Sequence, residues 1–148
     1  MSMEKALTPE RLAEEARLAL EKAPMTSREH FEFLVEQGII DRAGRIAAHT
    51  GAACIDWCGH RAGRDYSMAG NMLAGPRVLA DTAAAFEAEN ALPLALRLIV
   101  AMEAGEAAGG DKRGRQAAAL IVCTTEAYRS LDLRVDDHAH PIASCGRG

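Results

Sequence analysis

Apolar residues recur at Leu12, Ala16 and Ala19/Leu20 between Thr8 and Pro24, the three-to-four-residue spacing of one helical face. Thr8 is placed to cap that helix and Pro9 to take its first position, so the pattern predicts a helix over residues 9 to 22. A polar joint follows at Thr26 to Glu29. The spacing then changes: Phe31 to Ile40 is rich in aromatic and β-branched residues, Asp41-Arg42-Ala43-Gly44 has the composition of a turn, and Arg45 to Thr50 completes a β-hairpin. Gly51 to Trp57 extends or follows that sheet, and Gly59 to Ser67 reads as a loop or a further short hairpin.

Helical spacing returns after Pro76, with Val78, Leu79, Thr82, Ala83 and Phe86 on one face. It returns again after Pro93, with Leu94, Leu98, Ile99 and Met102 inward, until Gly109-Gly110 stops the helix. Ala118 to Thr124 is a nearly continuous apolar strand, whereas Leu131, Leu133 and Val135 alternate with Asp132, Arg134 and Asp136 as in a half-exposed one. Strands on both sides of a helix pair imply an α+β fold, a layered sandwich of antiparallel sheet covered by helices. One domain is expected, with residues 1–29 as helix and joint, 30–143 as core and 144–148 as a frayed tail. A strand apolar on both faces needs cover on the second, and a second copy of the chain, in a homo-oligomer, is the simplest source.

Composition narrows the partners. The 148 residues are 49% hydrophobic but only 4% aromatic, so the core is built from small side chains. A net charge of −4 provides no basic field for nucleic acid. The most apolar stretch, Leu92 to Met102, holds Pro93 and Arg97 and falls well short of the ~20 residues that cross a bilayer. The start of the chain lacks the basic and apolar runs of a secretory signal, which leaves the cytoplasm as the expected compartment. Cys54, Cys58, Cys123 and Cys145 have no framework spacing and read as reduced thiols, Cys123 as a small buried hydrophobe.

Several clusters carry possible chemistry. Cys54 lies near His49 and His60, either of which could take the proton of a thiol nucleophile, although a structural cysteine is the plainer reading. Ser2 would be exposed by loss of Met1, but it precedes a charged helix and is poorly placed for catalysis. Cys54, Cys58 and His60, and Asp136, Asp137, His138 and His140, lack the paired half-motifs of a zinc site, and no metal or cofactor is expected. Gly70-Asn71, shortly before Pro76, could aim an amide at an oxyanion or a ligand carboxylate; alternatively Gly70 supplies an unusual backbone angle and Asn71 caps a turn. Gly109 to Gln116 joins a helix end to a strand, and there Asp111, Arg113 and Gln116 offer charge and hydrogen bonds to a small-molecule or peptide ligand. A capped helix with a solvated turn is the alternative. Trp57 and Phe86 read as packing residues and Tyr66 as a packing residue with a hydroxyl to offer.

Taken in order, the strings Gly44 to Gly51, Cys54 with Trp57, Gly59-His60, Tyr66-Ser67, Gly70 to Pro76, Glu103-Ala104-Gly105, Gly109 to Gly114 and Leu133 to His138 resemble an uncharacterised bacterial family, the domain of unknown function number one-zero-two-eight. The resemblance runs from about Gln37 to Ile142. It implies a sandwich similar to the N-terminal-nucleophile (Ntn) hydrolases and the proteasome subunit, whose members cleave amide bonds with their own first residue. Three departures accompany it: the family's opening pair of strands with an early Thr or Ser has no counterpart before the first helix, its helix after Asp136-Asp137-His138 has none either, and one loop residue differs. Gln116 is followed by Ala117 where the family commonly has Ser. The resemblance thus implies either a hydrolase of a small amide or peptide bond, with Gly70, Asn71, Asp111, Arg113 and Gln116 binding, or a non-catalytic ligand-binding or assembly module on the same scaffold.

Overall fold

The computed structural model describes residues 36–40, 43–51, 54–126 and 128–146. The helix expected over residues 9 to 22, the joint after it, Ser2 and the first part of the first strand lie outside these residues. The chain divides into two compact units between Met72 and Leu73.

In the first unit, β1 (Glu36–Ile40) pairs antiparallel with β2 (Ile46–Thr50), Ile40 opposite Ile46 and Glu36 opposite Thr50. Gly44, at φ 75°, supplies the left-handed residue of the connection. This is the hairpin that the change of spacing predicts. Along β2 Ala47 is buried, whereas His49, two residues on along the same face, is exposed. A second hairpin follows, β3 (Gly59–Ala62) with β4 (Ser67–Gly70), closed by the Gly63 N–H on the Tyr66 carbonyl at 2.9 Å. Its turn is tight because the Tyr66 ring lies over Gly63, where a Cβ would stand 2.1 Å from it. The two hairpins pack against each other.

The second unit is a helix pair, a strand pair and a short closing helix. Helix α1 (Pro76–Ala88) buries Val78, Leu79, Ala83 and Phe86, the face read from its spacing. Helix α2 (Leu94–Ala107) packs on α1 and buries Ile99, Ala101 and Gly105. Leu94, expected inside, is 49% exposed, because it opens the helix beyond the reach of α1's packed face. Arg97 of α2 bridges to α1, its guanidinium 3.7 Å from the Phe86 ring centre and its Nε donating to the Phe86 carbonyl. Gly109 and Gly110, at φ 121° and 53°, then turn the chain out of α2 as expected.

Strands β5 (Ala118–Cys123) and β6 (Arg129–Val135) pair antiparallel, Ala118 opposite Val135, with a bulge between Val122 and Cys123. Their inner face meets α2 and α3 (Pro141–Cys145) around Ile99, Leu120 and Cys145, with Leu98, Met102, Val122, Leu131, Leu133 and Val135 packed against that centre.

Four expectations are corrected here. The described strands form three two-stranded sheets, not one sheet under a helical layer. Strand β5 buries one side only: Leu120 points inward and Ile121 is 47% exposed. Its outward face otherwise carries Ala119 and Cys123, so leaving it in water exposes little apolar surface. Cys123 is accordingly exposed rather than buried. Finally, Ser144 and Cys145 are not frayed but complete α3, and Cys145 is 3% exposed against Ile99 and Leu120; a short helix does follow Asp136-Asp137-His138.

Candidate functional site

The loop from Gly109 to Ala117 is anchored at its start by the segment that opens the second unit. Leu73 forms an antiparallel bridge with Asp111, and the Ala74 N–H donates to the Gly110 carbonyl at 2.9 Å. Gly109 permits this approach, since a Cβ there would stand 2.6 Å from that of Ala74. The far end is anchored by the His138 N–H on the Gln116 carbonyl at 2.9 Å.

Between these anchors the loop and the start of α3 enclose an open hollow of about 710 Å3, lined by Glu106, Asp111, Arg113 to Ala117, Pro141 and Ile142. Asp111, Arg113 and Gln116, the binding residues read from sequence for this loop, therefore share one surface. Asp111 Oδ1 accepts from the Arg113 backbone N–H at 2.8 Å and from its Nε at 2.9 Å, while NH2 reaches Oδ2. These hydrogen bonds, more than the desolvation that opposes them, hold the Asp111 carboxyl below its ordinary value, and the same pairing raises Arg113 above the usual arginine value.

Two lining residues were missed in the sequence reading. Arg115 uses all three of its nitrogens: Nε donates to the Ala139 carbonyl at 2.8 Å, NH1 pairs with Glu106, and NH2 lies 3.1 Å from His140 Nδ1. Because a guanidinium only donates, His140 Nδ1 accepts and its ring proton sits on Nε2. Arg115 thus joins α2 to the residue before α3 and acts as a structural tie. Glu106, the last residue but one of α2, pairs with a cation nine residues away that no local spacing rule marks.

The acidic and histidine cluster is likewise committed. Asp136 accepts from Arg134 and Asp137 from Gln116 Nε2 at 3.2 Å, and His138 Nδ1 accepts the His140 N–H at 2.9 Å with Ser144 Oγ 3.3 Å away. Among the described residues, no three His, Cys, Asp or Glu side chains gather as a metal would require.

The remaining candidates belong to the first unit. Gly70 ends β4 and is not a left-handed residue; that conformation falls on Met72, at φ 58°. Asn71 does not cap its own turn but reaches back sixteen residues, its Oδ1 accepting the Ile55 N–H at 2.8 Å, while the Met72 N–H donates to the Ile55 carbonyl. It therefore organises the loop carrying Cys54, a half-buried thiol. His60 Nδ1 lies 2.7 Å from Thr50 Oγ1, a pairing with a residue not singled out from sequence. His49 is exposed near the end of β2.

No helix among the described residues is long and apolar enough to cross a membrane. No curated protein is similar to this chain at a significant level. Among solved structures, the crystal structure of a protein of the family DUF1028 from Silicibacter pomeroyi is similar, with 27% sequence identity and a TM-score of 0.68. The similarity covers 86% of this chain and 57% of that one, so this chain spans little more than half of that relative's length. The sequence model of a family described as "Family of unknown function (DUF1028)" matches residues 10–145. With nearly its whole length matched, the chain belongs to the DUF1028 family of unknown function.

Proposed function

We propose that this protein is an Ntn-hydrolase-like domain whose second unit binds a small amide or peptide, and that binding, not bond cleavage, is the part performed by the residues of the hollow. The observation that carries this reading is the hollow's lining. Among the described residues it offers two guanidinium groups, two carboxylates and a primary amide, but no serine, threonine, cysteine or histidine to act as nucleophile or base. Such a surface orients a polar ligand and holds it in place. The Ntn-hydrolase likeness rests on the sequence resemblance, and an amide or peptide as ligand follows from it together with the hydrogen-bonding character of the lining.

The test is ligand-observed NMR with a panel of small amides and blocked dipeptides, on the native chain and on Ala117→Trp, which fills the hollow from its exposed wall. Binding that is present in the native chain and lost in the variant is expected. Equal binding by both proteins would place the ligand elsewhere and refute the reading. A second reading, catalysis by Cys54, would show as turnover of a chromogenic amide that Cys54→Ala abolishes and Ala117→Trp leaves intact.

A further inference from the structure

The two arginines of the hollow differ in what they have left to give. Every nitrogen of Arg115 already has a partner, and its partners lie on two segments of the unit, the end of α2 and the two residues before α3. Arg113 spends Nε and NH2 on Asp111 alone; no hydrogen bond of its NH1, with two N–H groups, occurs among the described residues. Its side chain is 65% exposed and lines the hollow. Asp111 is the positioning residue here, bridged to Leu73 through its backbone and holding Arg113 at both the main chain and the side chain. A guanidinium fixed in this way presents a planar pair of donors at little further entropic cost, which is the match for a carboxylate.

Gln116 supplies a complementary group. Its Nε2 donates to Asp137 and its backbone carbonyl accepts from His138, so the amide is oriented with Oε1 left as an acceptor. Among the described residues the lining's charged groups are Glu106, Asp111, Arg113 and Arg115, two anions against two cations. A hollow with no net charge favours a dipolar ligand over a multiply charged anion such as a phosphate. Ala117, Pro141 and Ile142 complete it with a modest apolar surface.

Resting on the proposed binding role of this hollow, we infer that its ligand is held by a free carboxylate, that of an amino acid or a peptide C-terminus, with Arg113 as the carboxylate-binding cation and Gln116 Oε1 accepting the ligand's N–H. A phosphate-bearing ligand is the alternative that the charge balance disfavours.

The experiment titrates the native chain with the dipeptide Ala-Ala, with its C-terminal amide, and with inorganic phosphate, following binding by NMR. The free dipeptide is expected to bind about ten-fold or more tightly than the amide, the factor that one hydrogen bond to a charged group carries. Arg113→Gln should remove the preference, so that the free dipeptide and its amide bind the variant within about two-fold of each other. Amidation alters only the ligand, so this comparison stands whatever the variant's stability. Equal affinity for the two dipeptides, with Ala117→Trp abolishing both, would overturn the carboxylate assignment and leave the hollow as the site. Tighter binding of phosphate than of the dipeptide would overturn it too. No binding of any small amide or peptide would remove both the assignment and the reading beneath it.

Discussion

Gly105 sits inside α2 at its crossing with α1, and replacing it with alanine sets two effects against each other. In an exposed helix, Gly to Ala gains about 1 kcal/mol from helix propensity. Here the new Cβ would stand 2.3 Å from Thr82 Oγ1, and 3.6 Å from both Thr82 Cβ and the Val78 carbonyl oxygen. Only the hydroxyl is in collision, yet it cannot turn away without loss, because it donates to the Val78 carbonyl at 2.7 Å. Thr82 is β-branched and confined to few rotamers in a helix. Forcing a methyl into packed surroundings costs about 1–3 kcal/mol, and loss of the hydrogen bond adds about 1 kcal/mol. Gly105→Ala is therefore expected to destabilise by roughly 1–3 kcal/mol net of the propensity gain, a fall in Tm of several degrees for a chain of this size. Urea unfolding followed by circular dichroism measures it. Thr82→Ala removes the colliding atom and leaves Cβ at ordinary contact distance, so the double variant should recover most of the loss, with a coupling of about 1–3 kcal/mol. A Gly105→Ala protein as stable as the native one, or a double variant showing no coupling, would refute the close helix crossing.

Two further outcomes follow from burial and charge. A small thiol reagent should modify exposed Cys123 quickly and spare Cys145, at 3% exposure, until urea is added; peptide mapping that found the two reacting at the same rate would contradict the packing of α3. Asp111 is depressed by Arg113, so its ionised form stabilises the folded state above the unfolded carboxylate value near about pH 4, and that contribution is lost as pH falls through the folded value. Asp111→Asn should thus lower the urea midpoint slightly at about pH 7, with the gap closing toward about pH 2; a gap that is constant, or that widens in acid, would count against the ion pair.

The local elements were legible because local rules produce them. Pro76 and Pro93 open helices, Gly109-Gly110 ends one, Asp41 to Gly44 marks a turn, and the apolar spacing of α1 names its buried face. The Asp111 and Arg113 pairing lay within reach of the same reading, since a carboxylate two residues before an arginine in a glycine-rich turn can hold it. The run Ala118 to Cys123 misled because a string of small apolar residues looks alike whether one face or two are covered. Asn71 misled for a different reason: an asparagine after glycine caps its own turn by habit, and its actual partner, Ile55, is remote in sequence.

The amino-acid order alone, then, determined that helices open at Pro76 and Pro93, that a hairpin turns near Gly44 and which loop carries the polar groups, since each depends on neighbours within a few residues. The tertiary structure decided which polar groups are already spent. Arg115 is tied to Glu106, Ala139 and His140, nine to twenty-five residues away, whereas Arg113 keeps donors to offer. Hydrogen-bond capacity is exhausted by whatever lies nearest in space, and proximity in space is the quantity that a linear order of residues does not carry.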